Sequence, residues 1–157
     1  MIKVQINLVG GGKMPVKGTD GAACYDVYAR KIEQEGGMVK CYLGIKTKLP
    51  EGYKGVVTGR SNTTKYPYVL IKGTIDGDYR EEWQARFRAT ESTKVYKSWF
   101  HRLLNIKPKT KYPEFPYRDG ERVAQIYFDR VEYLKWNKSK ITDATMRTGG
   151  FGSTGTK

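Results

Sequence analysis

The length of 157 residues, the composition and the net charge of +13 together exclude several classes of protein. Its 38% apolar and 29% charged content is typical of a folded globular chain, and its length suits one domain, residues 1–157. It contains no apolar run long enough to span a membrane, its first residues lack a secretory pattern, and lone Cys24 and Cys41 predict free thiols. We expect a cytoplasmic protein, or one in the cytoplasm of a host if a phage encodes it, with anionic partners.

The predicted elements are almost all strands. Near the N-terminus Ile2, Val4, Ile6 and Leu8 alternate with polar residues, which is the period of a strand with one buried face. Further apolar and β-branched runs follow at 38–48, 53–58, 67–72, 83–89 and 122–134. Glycine-containing turn signals lie between these runs. Many short strands joined by frequent turns predict an all-β sandwich or barrel.

One stretch, from Val95 to Ile106, has helical spacing instead. Apolar residues recur there every three or four positions, and Pro108 follows the end. We predict a short helix inserted into a β fold. The single histidine of the chain, His101, lies in this stretch, and we interpret it as a packing residue. A zinc site of the ordinary kind and a Ser-His-Asp triad are then disfavoured.

Two glycine-containing segments carry groups that suit phosphate chemistry. Residues 73–79 (GTIDGDY) predict a tight hairpin that presents Asp76. Residues 147–155 (RTGGFGSTG) form a glycine-rich tail whose amides and hydroxyls could cradle phosphates. We expect this tail to be mobile until an anion orders it. Hydrolysis in this chain would therefore use a carboxylate, a hard metal ion and phosphate-binding groups.

Five segments, taken in chain order, resemble the five motifs of the trimeric dUTPases. They are residues 23–29, 59–61, 73–79, 120–126 and 149–155. The resemblance implies a jelly-roll-like β-barrel with a mobile C-terminal arm (about 144–157) and a homotrimer whose active sites are shared between subunits. It also implies hydrolysis of dUTP to dUMP and pyrophosphate with Mg²⁺, which limits uracil in DNA and supplies dUMP for thymidylate synthesis.

The resemblance also assigns roles to the third and fourth motifs. Asp76 would be the general base that activates a water for attack on the α-phosphorus, and Gln125 would orient that water or an α-phosphate oxygen. Tyr79 would pack under the deoxyribose and exclude a 2′-hydroxyl. The main chain of Gly73, Thr74 and Ile75 would read the uracil edge. Some family members add an asparagine side chain before the catalytic aspartate, and residues 70–72 offer none.

The remaining motifs would bind the metal ion and the phosphates. Asp26 would hold Mg²⁺ through water, and Arg122 would support subunit contacts. The residues implied for binding of the phosphates and for closure over the base are Arg60, Ser61, Asn62, Arg147, Phe151, Gly152, Ser153 and Thr154. One residue separates Arg147 from the Gly-Gly-Phe where the family usually has two. That spacing leaves open whether Arg147 reaches the γ-phosphate.

The segment 84–119 looks like an insertion relative to the shortest family members. It has nine basic residues against three acids, together with seven aromatics. A packed helix with a solvated basic face is one interpretation. The other is that residues 92–117 bind a protein or single-stranded nucleic acid.

Two further functions remain open at this stage. A dCTP deaminase has a similar fold but would place a glutamate where this chain has Asp76. A nucleotide-responsive or nucleic-acid-binding regulator would use the basic segment, with hydrolysis secondary.

Overall fold

A computed structural model of the protein describes residues 2–99, 103–104 and 107–139, and this part of the chain is built from strands. The strands are β1 (Gln5–Leu8), β2 (Val16–Lys17), β3 (Tyr25–Tyr28), β4 (Lys31–Glu35), β5 (Met38–Tyr42), β6 (Ile45–Lys48), β7 (Tyr53–Thr58), β8 (Tyr68–Ile71), β9 (Gly73–Ile75), β10 (Gln84–Ala89), β11 (Thr93–Val95), β12 (Lys109–Lys111) and β13 (Arg122–Arg130). A 3-10 helix, η1 (Ser61–Lys65), follows β7. Among the described residues, no helix has the length and apolar character needed to cross a membrane.

Two larger antiparallel sheets form the body of the fold. One has the strand order β4-β5-β10-β8, and the other has the order β2-β3-β13-β7-β9. Two smaller ladders, β1-β6 and β11-β12, complete the pairing. The all-β, jelly-roll-like architecture predicted from the sequence is confirmed.

The core lies between the two larger sheets and follows the two-residue period of their strands. On β10, Ala85 and Phe87 are fully buried, while the alternate side chains point outward. Trp83, just before β10, is also fully buried. It packs on Gly55 of β7 so closely that a Cβ there would lie 2.2 Å from the indole ring. A larger residue at position 55 would displace the tryptophan, so glycine is required.

Most predicted strands are confirmed with small changes of boundary. The run 38–48 divides into β5 and β6 at Gly44, which has a φ of +67° and touches the backbone of Gly12. The runs 53–58 and 83–89 correspond to β7 and β10. Strands β2, β3, β4, β11 and β12 were not predicted.

The helix predicted over 95–106 is wrong at its start. Val95 lies in β11, paired with Lys109 of β12. Trp99 and Leu103 are helical, while residues 100–102 and 105–106, including His101, lie outside the described residues. The structure therefore opens this stretch with a strand rather than with the first turn of a helix.

The segment 84–119, predicted to be an insertion, is part of the body of the fold at both of its ends. It begins with β10, a central strand of the four-stranded sheet, and near its end Phe115 and Tyr117 belong to the core. The hydroxyl of Tyr68 donates a hydrogen bond to the carbonyl oxygen of Pro113 at 2.7 Å, which fixes the returning chain. Strands β11 and β12 form a separate ladder outside the two larger sheets, and we call the stretch of residues 90–112 the basic ribbon.

The two cysteines are free thiols, as predicted, with different exposure. Cys41 on β5 is fully buried, and this burial raises the pKa of its thiol from 9.0 to about 12. Since the thiolate is the reactive form, we expect a thiol reagent at pH 8 to modify partly exposed Cys24 and to spare Cys41 until the protein unfolds. The variant Cys24→Ser should then show no reactive thiol when folded. Rapid labelling of that folded variant would contradict the expectation.

Candidate active site

One polar cluster is centred on the carboxylate of Asp26 in β3. Asp26 lies directly opposite Gln125 of β13, whose side-chain Nε2 donates to Asp26 Oδ1 at 3.0 Å. Arg122 Nη1 lies 3.1 Å from Oδ2, and Arg60 Nε lies 3.5 Å from Oδ1. The carboxylate is only 8% exposed. Two arginines therefore offset the charge of this carboxylate, and the Gln125 amide replaces part of its lost hydration by a hydrogen bond.

A β-bulge brings Arg122 and Gln125 to the same side of the sheet. The register between β13 and β3 shifts between Arg122 and Ala124, so that Val123 is an extra residue on β13. Val123 and Ala124 are consequently both buried. In a regular strand, residues three apart point to opposite faces. Because of the bulge, both Arg122 and Gln125 reach Asp26.

Arg60 is fixed at the start of η1. Its Nη1 donates to the carbonyl oxygen of Arg122 at 2.9 Å, in addition to the contact with Asp26. The next residue, Ser61, is exposed. Asn62 accepts a hydrogen bond from the hydroxyl of core residue Tyr117 at 3.3 Å through its Oδ1. The loop 60–62 is therefore attached to the body at both ends, with the serine facing solvent.

A second polar region is a cavity of about 420 Å³ beside β9. Its walls are formed by Ile71, Lys72, Gly73, Thr74, Ile75, Asp76, Tyr79, Gln84 and Arg86. β8 pairs with β10 and β9 pairs with β7, so these consecutive strands belong to different sheets. β9 is the last strand of its sheet. An edge strand presents main-chain donors and acceptors that the ladder does not use, and here the edge strand lines a cavity.

The turn after β9 holds Asp76 and Tyr79 at this cavity. The amide of Tyr79 donates to the carbonyl oxygen of Asp76 at 3.1 Å. The guanidinium of Arg80 donates to the carbonyl oxygens of Gly77 and Tyr79 at 2.8 and 3.2 Å. A Cβ at Gly77 would lie 3.0 Å from the carbonyl oxygen of Tyr53, so the turn also packs closely on β7. Asp76 is exposed at the cavity on a well-defined turn.

Glu82 anchors the chain after this turn to Arg30 and Gly44. Its carboxylate receives two hydrogen bonds from Arg30, at 2.7 and 2.6 Å, and one from the amide of Gly44 at 2.7 Å. The bonds from Arg30 are the main reason that the pKa of Glu82 lies below its ordinary value of 4.5. Tyr79 is tied to the same residue, because its hydroxyl donates to the Glu82 carbonyl oxygen at 3.4 Å.

Because the pKa of Glu82 is lowered by folding, the stability it contributes is complete above pH 4.5 and is lost as the pH falls through the lowered value. We expect Glu82→Gln to lower the free energy of unfolding by about 1–2 kcal/mol at pH 7. The difference from the parent chain should shrink in acid. Denaturant unfolding between pH 3 and 7 measures this, with exposed Glu81→Gln as the control. An equal loss of unfolding free energy at every pH would contradict the lowered pKa of Glu82.

The two polar regions are separate within one chain. The cavity at Asp26, of about 350 Å³, is lined by Gly18, Thr19, Ala22, Ala23, Cys24, Asp26 and Gln125. It shares no described lining residue with the cavity at Asp76. The structure thus brings Asp26, Arg60 and Gln125 together and leaves Asp76 and Tyr79 at a different place.

Comparison with known proteins identifies this arrangement. The family model described as dUTPase matches residues 11–103, more than half of the chain. The chain belongs to the dUTPase family. A deoxyuridine 5′-triphosphate nucleotidohydrolase of Anaplasma marginale is 29% identical, over 99% of this chain and 100% of the relative. One from Rickettsia bellii is 30% identical, over 92% of this chain and 88% of the relative.

Solved structures of dUTPases share the fold. The dUTPase of Staphylococcus bacteriophage 80alpha with dUpNHpp has a TM-score of 0.74 at 21% identity, covering 98% of this chain and 99% of that chain. The dUTPase of phage phi11 of S. aureus, described as showing a species-specific insert, has a TM-score of 0.67 at 17% identity, covering 91% and 99%. The interpretation as an enzyme of the dUTP diphosphatase class is confirmed by the relatives, and none of those named above is a dCTP deaminase.

Within this dUTPase-family chain, the described part of the predicted site falls into the two regions. Asp26, Arg60 and Gln125 meet, with Ser61 and Asn62 alongside, while Gly73, Thr74, Ile75, Asp76 and Tyr79 line the second cavity. Predicted residues Arg147, Phe151, Gly152, Ser153 and Thr154 lie outside the described residues. Sequence reasoning missed Arg122 as the partner of Asp26, although its place in the fourth motif was a usable signal. It also missed Arg80, which follows the third motif directly.

The donor groups at Asp26 decide what kind of metal site they suit. Among residues 2–99, 103–104 and 107–139, no three His, Cys, Asp or Glu residues form a group that could enclose a metal ion. Both carboxylate oxygens of Asp26 already have partners, Gln125 on Oδ1 and Arg122 on Oδ2. This arrangement fits a cation that keeps its own water shell and takes its direct ligands from phosphate, as Mg²⁺ prefers.

Proposed function

We propose that the chain hydrolyses dUTP to dUMP and pyrophosphate as a homotrimer, using Asp76 as the general base and Mg²⁺ as the cofactor. The observation that carries this proposal is the separation of Asp76 from the cluster of Asp26, Arg60 and Gln125. Each chain then carries two separate parts of an active site, and a neighbouring copy would supply the part that each one lacks. We further propose that residues 1–157 form one domain located in the cytoplasm, to which free Cys24 and Cys41 are well suited.

The base and the sugar would bind at the Asp76 cavity. The edge of β9 carries main-chain donors and acceptors of fixed type along Gly73, Thr74 and Ile75, and these can match O4, N3-H and O2 of uracil. The ring of Tyr79, held through its hydroxyl to Glu82, would pack against the deoxyribose. A 2′-hydroxyl would then collide with the ring, which would exclude UTP.

The chemical step would use Asp76 and Gln125. Asp76 stands exposed at the cavity, where its carboxylate can accept a proton from an attacking water. The new bond joins the water oxygen to the α-phosphorus as the bond to the bridging oxygen breaks, and pyrophosphate leaves. Gln125 uses its Nε2 on Asp26 and would contact the water or an α-phosphate oxygen from there.

The phosphates would be held by the loop 60–62 and by the tail. Arg60 supplies charge from a fixed position, while exposed Ser61 supplies a hydroxyl and an amide. Asn62 has its Oδ1 engaged with Tyr117, so its role would be to shape the loop. Arg147, Phe151, Gly152, Ser153 and Thr154 would close over the nucleotide and exclude water.

Asp26 would hold Mg²⁺ through water, and the bound cation would offset the charge of the phosphates during attack. The fit of the Asp26 cluster to a hydrated cation supports this role. A structure of the phi11 phage dUTPase is described as coordinating a structural Mg(II) ion, with a TM-score of 0.67 and 17% identity.

The experiment that tests the proposal measures pyrophosphate release from dUTP, dCTP, dTTP and UTP in parallel, first with Mg²⁺ and then with a chelator. We expect release from dUTP to be much faster than the slow release from dCTP, dTTP and UTP, with loss after chelation. Release that continues unchanged in the chelator would overturn the role of Mg²⁺. No release from dUTP by the folded trimer would overturn the proposed activity.

We propose a second function for the basic ribbon, the binding of single-stranded nucleic acid. Residues 90–112 hold six basic residues and one acid, and all six residues of β11 and β12 are exposed. A two-stranded ribbon without a buried face is marginally stable alone, so a partner would stabilise it. Tyr96 and Trp99 add exposed aromatic surface for base stacking. The 80alpha dUTPases are described as controlling the transfer of virulence genes. Binding of a protein instead of nucleic acid is the alternative outcome of the test.

We expect the combined variant Lys94→Glu, Lys97→Glu, Lys109→Glu and Lys111→Glu to weaken binding of a labelled oligo-dT strand at least about tenfold, with a shallower dependence on salt. Turnover of dUTP should stay within about twofold. Fluorescence anisotropy at several salt concentrations measures the binding. Four exposed lysines elsewhere, Lys3, Lys48, Lys135 and Lys138, provide the matched charge-reversal control. Equal binding by parent and ribbon variant would rule out nucleic acid as the partner.

A further inference from the structure

A pair of outward-facing side chains on β10 borders the same cavity as Asp76. Gln84 and Arg86 are two residues apart, so they project from the same face of the strand. Both line the cavity with Asp76, Tyr79 and the edge of β9. Neither belongs to the five motifs that carry the resemblance to dUTPases. Gln84 and Arg86 therefore add side-chain groups to the candidate base-binding cavity that the motifs do not account for.

Arg86 determines which way the Gln84 amide points. The guanidinium donates from Nε and Nη2 to Gln84 Oε1, at 3.3 and 3.2 Å. Arginine has donors and no acceptor, so only the oxygen of the amide can face it. The amide cannot be turned over without losing both bonds. Its NH₂ group is thus the part available to a ligand, and the pair presents a donor of fixed polarity.

We infer that Gln84, oriented by Arg86, donates a hydrogen bond to O4 of uracil and contributes to the rejection of cytosine. This inference rests on the proposed hydrolysis of dUTP. Residues 70–72 contain no asparagine to serve as a side-chain reader of the base, and Gln84 supplies an equivalent amide from the neighbouring strand. Uracil carries a carbonyl oxygen at position 4, which accepts from the amide. Cytosine carries an amino group there, which would face a second donor.

The test compares kcat/KM for dUTP, dTTP and dCTP in the parent chain and in Gln84→Leu. Thymine shares O4 with uracil, so the variant should lose activity on dUTP and dTTP together, each about tenfold and mainly through KM, as loss of one hydrogen bond predicts. Activity on dCTP should not fall. The ratio of dUTP to dCTP should therefore drop about tenfold, while the ratio of dUTP to dTTP stays constant.

Variants at position 86 separate orientation from direct contact. Arg86→Met frees the amide to rotate and should lower the ratio of dUTP to dCTP about threefold. The double variant Gln84→Leu, Arg86→Met should have a ratio of dUTP to dCTP no lower than that of Gln84→Leu alone, because Arg86 acts through Gln84. Arg88→Met provides the matched control, since Arg88 lies on the same face of β10 but does not line the cavity. It should leave the ratio unchanged.

The outcomes distinguish the inference from the proposed function. No pyrophosphate release from dUTP by the parent chain would overturn both. Release by the parent, with a ratio of dUTP to dCTP that Gln84→Leu leaves within twofold, would overturn the inference alone. An equal loss on all three nucleotides would also overturn it, because that pattern indicates a contact at O2. A melting temperature for each variant verifies that the folded protein is compared.

Discussion

Replacing Asp76 with asparagine is expected to lower kcat for dUTP at least about a hundredfold while dUTP and Mg²⁺ still bind. Asparagine has nearly the same shape as aspartate but cannot take a proton from water, and loss of a general base costs about 10²–10⁴ in rate. Asp76 is exposed on a turn that other residues hold, so the fold should not change. Steady-state pyrophosphate release gives kcat, and calorimetry with dUTP gives the affinity.

The control for this variant lies two residues along the same turn. Asp78 is also exposed but does not line the cavity, so Asp78→Asn should keep kcat within about twofold. Comparable damage from both variants would point to a general effect of charge on the turn. Near-normal turnover by Asp76→Asn would remove the carboxylate from the mechanism altogether.

Some of the strands that the sequence predicts, such as β5 and β10, have alternating residues that pack directly into the core. In β10, Ala85 and Phe87 point inward and the arginines outward. The buried face predicted for the N-terminal strand is wrong, because Ile2 and Leu8 are exposed.

Strand β3 gives no such alternating signal, because its buried positions include Asp26. That carboxylate can be buried only because Arg60 and Arg122 arrive from distant parts of the chain. The sequence around Asp26 does not indicate these long-range contacts.

The basic ribbon shows how composition can mislead. Across 84–119 the charge is basic and aromatic residues are frequent, which made the whole segment look like an insertion. Phe115 and Tyr117 nevertheless pack into the core against Phe87. Buried and exposed aromatics have the same composition, and only the three-dimensional path of the chain separates them.

The sequence names candidate site residues but does not predict their arrangement. The motifs name Asp26, Gln125 and Asp76, yet the contact between Asp26 and Gln125 depends on strand register. Their position beside Arg122 depends on a β-bulge, and the only local sequence signal for that bulge is the pair of successive apolar residues Val123 and Ala124. The placement of Asp76 in a separate cavity is a property of the folded chain. It is the observation on which the proposed sharing of the site between subunits rests.

Replacing Asp26 with asparagine is expected to raise the Mg²⁺ concentration needed for half-maximal turnover at least about tenfold. Loss of a residue that holds a metal through an outer shell typically costs 10–100-fold in metal affinity or activity. The same change removes the counter-charge of Arg60 and Arg122, so the free energy of unfolding should fall by about 1–3 kcal/mol. Arg122 is half exposed and can rehydrate, which keeps this loss moderate.

Two measurements separate the functional and structural roles of Asp26. A Mg²⁺ titration of dUTP turnover reports the first, and denaturant unfolding without nucleotide reports the second. Asp129→Asn is the matched control, because Asp129 lies near the end of β13, the strand that pairs with β3, is 57% exposed and sits 3.8 Å from Lys54. Exposed ion pairs of this kind contribute about 0–1 kcal/mol to stability, so neither the Mg²⁺ titration nor the unfolding curve should shift. A lower stability for Asp26→Asn with an unchanged Mg²⁺ dependence would make Asp26 the electrostatic anchor of two arginines and remove it from the metal site.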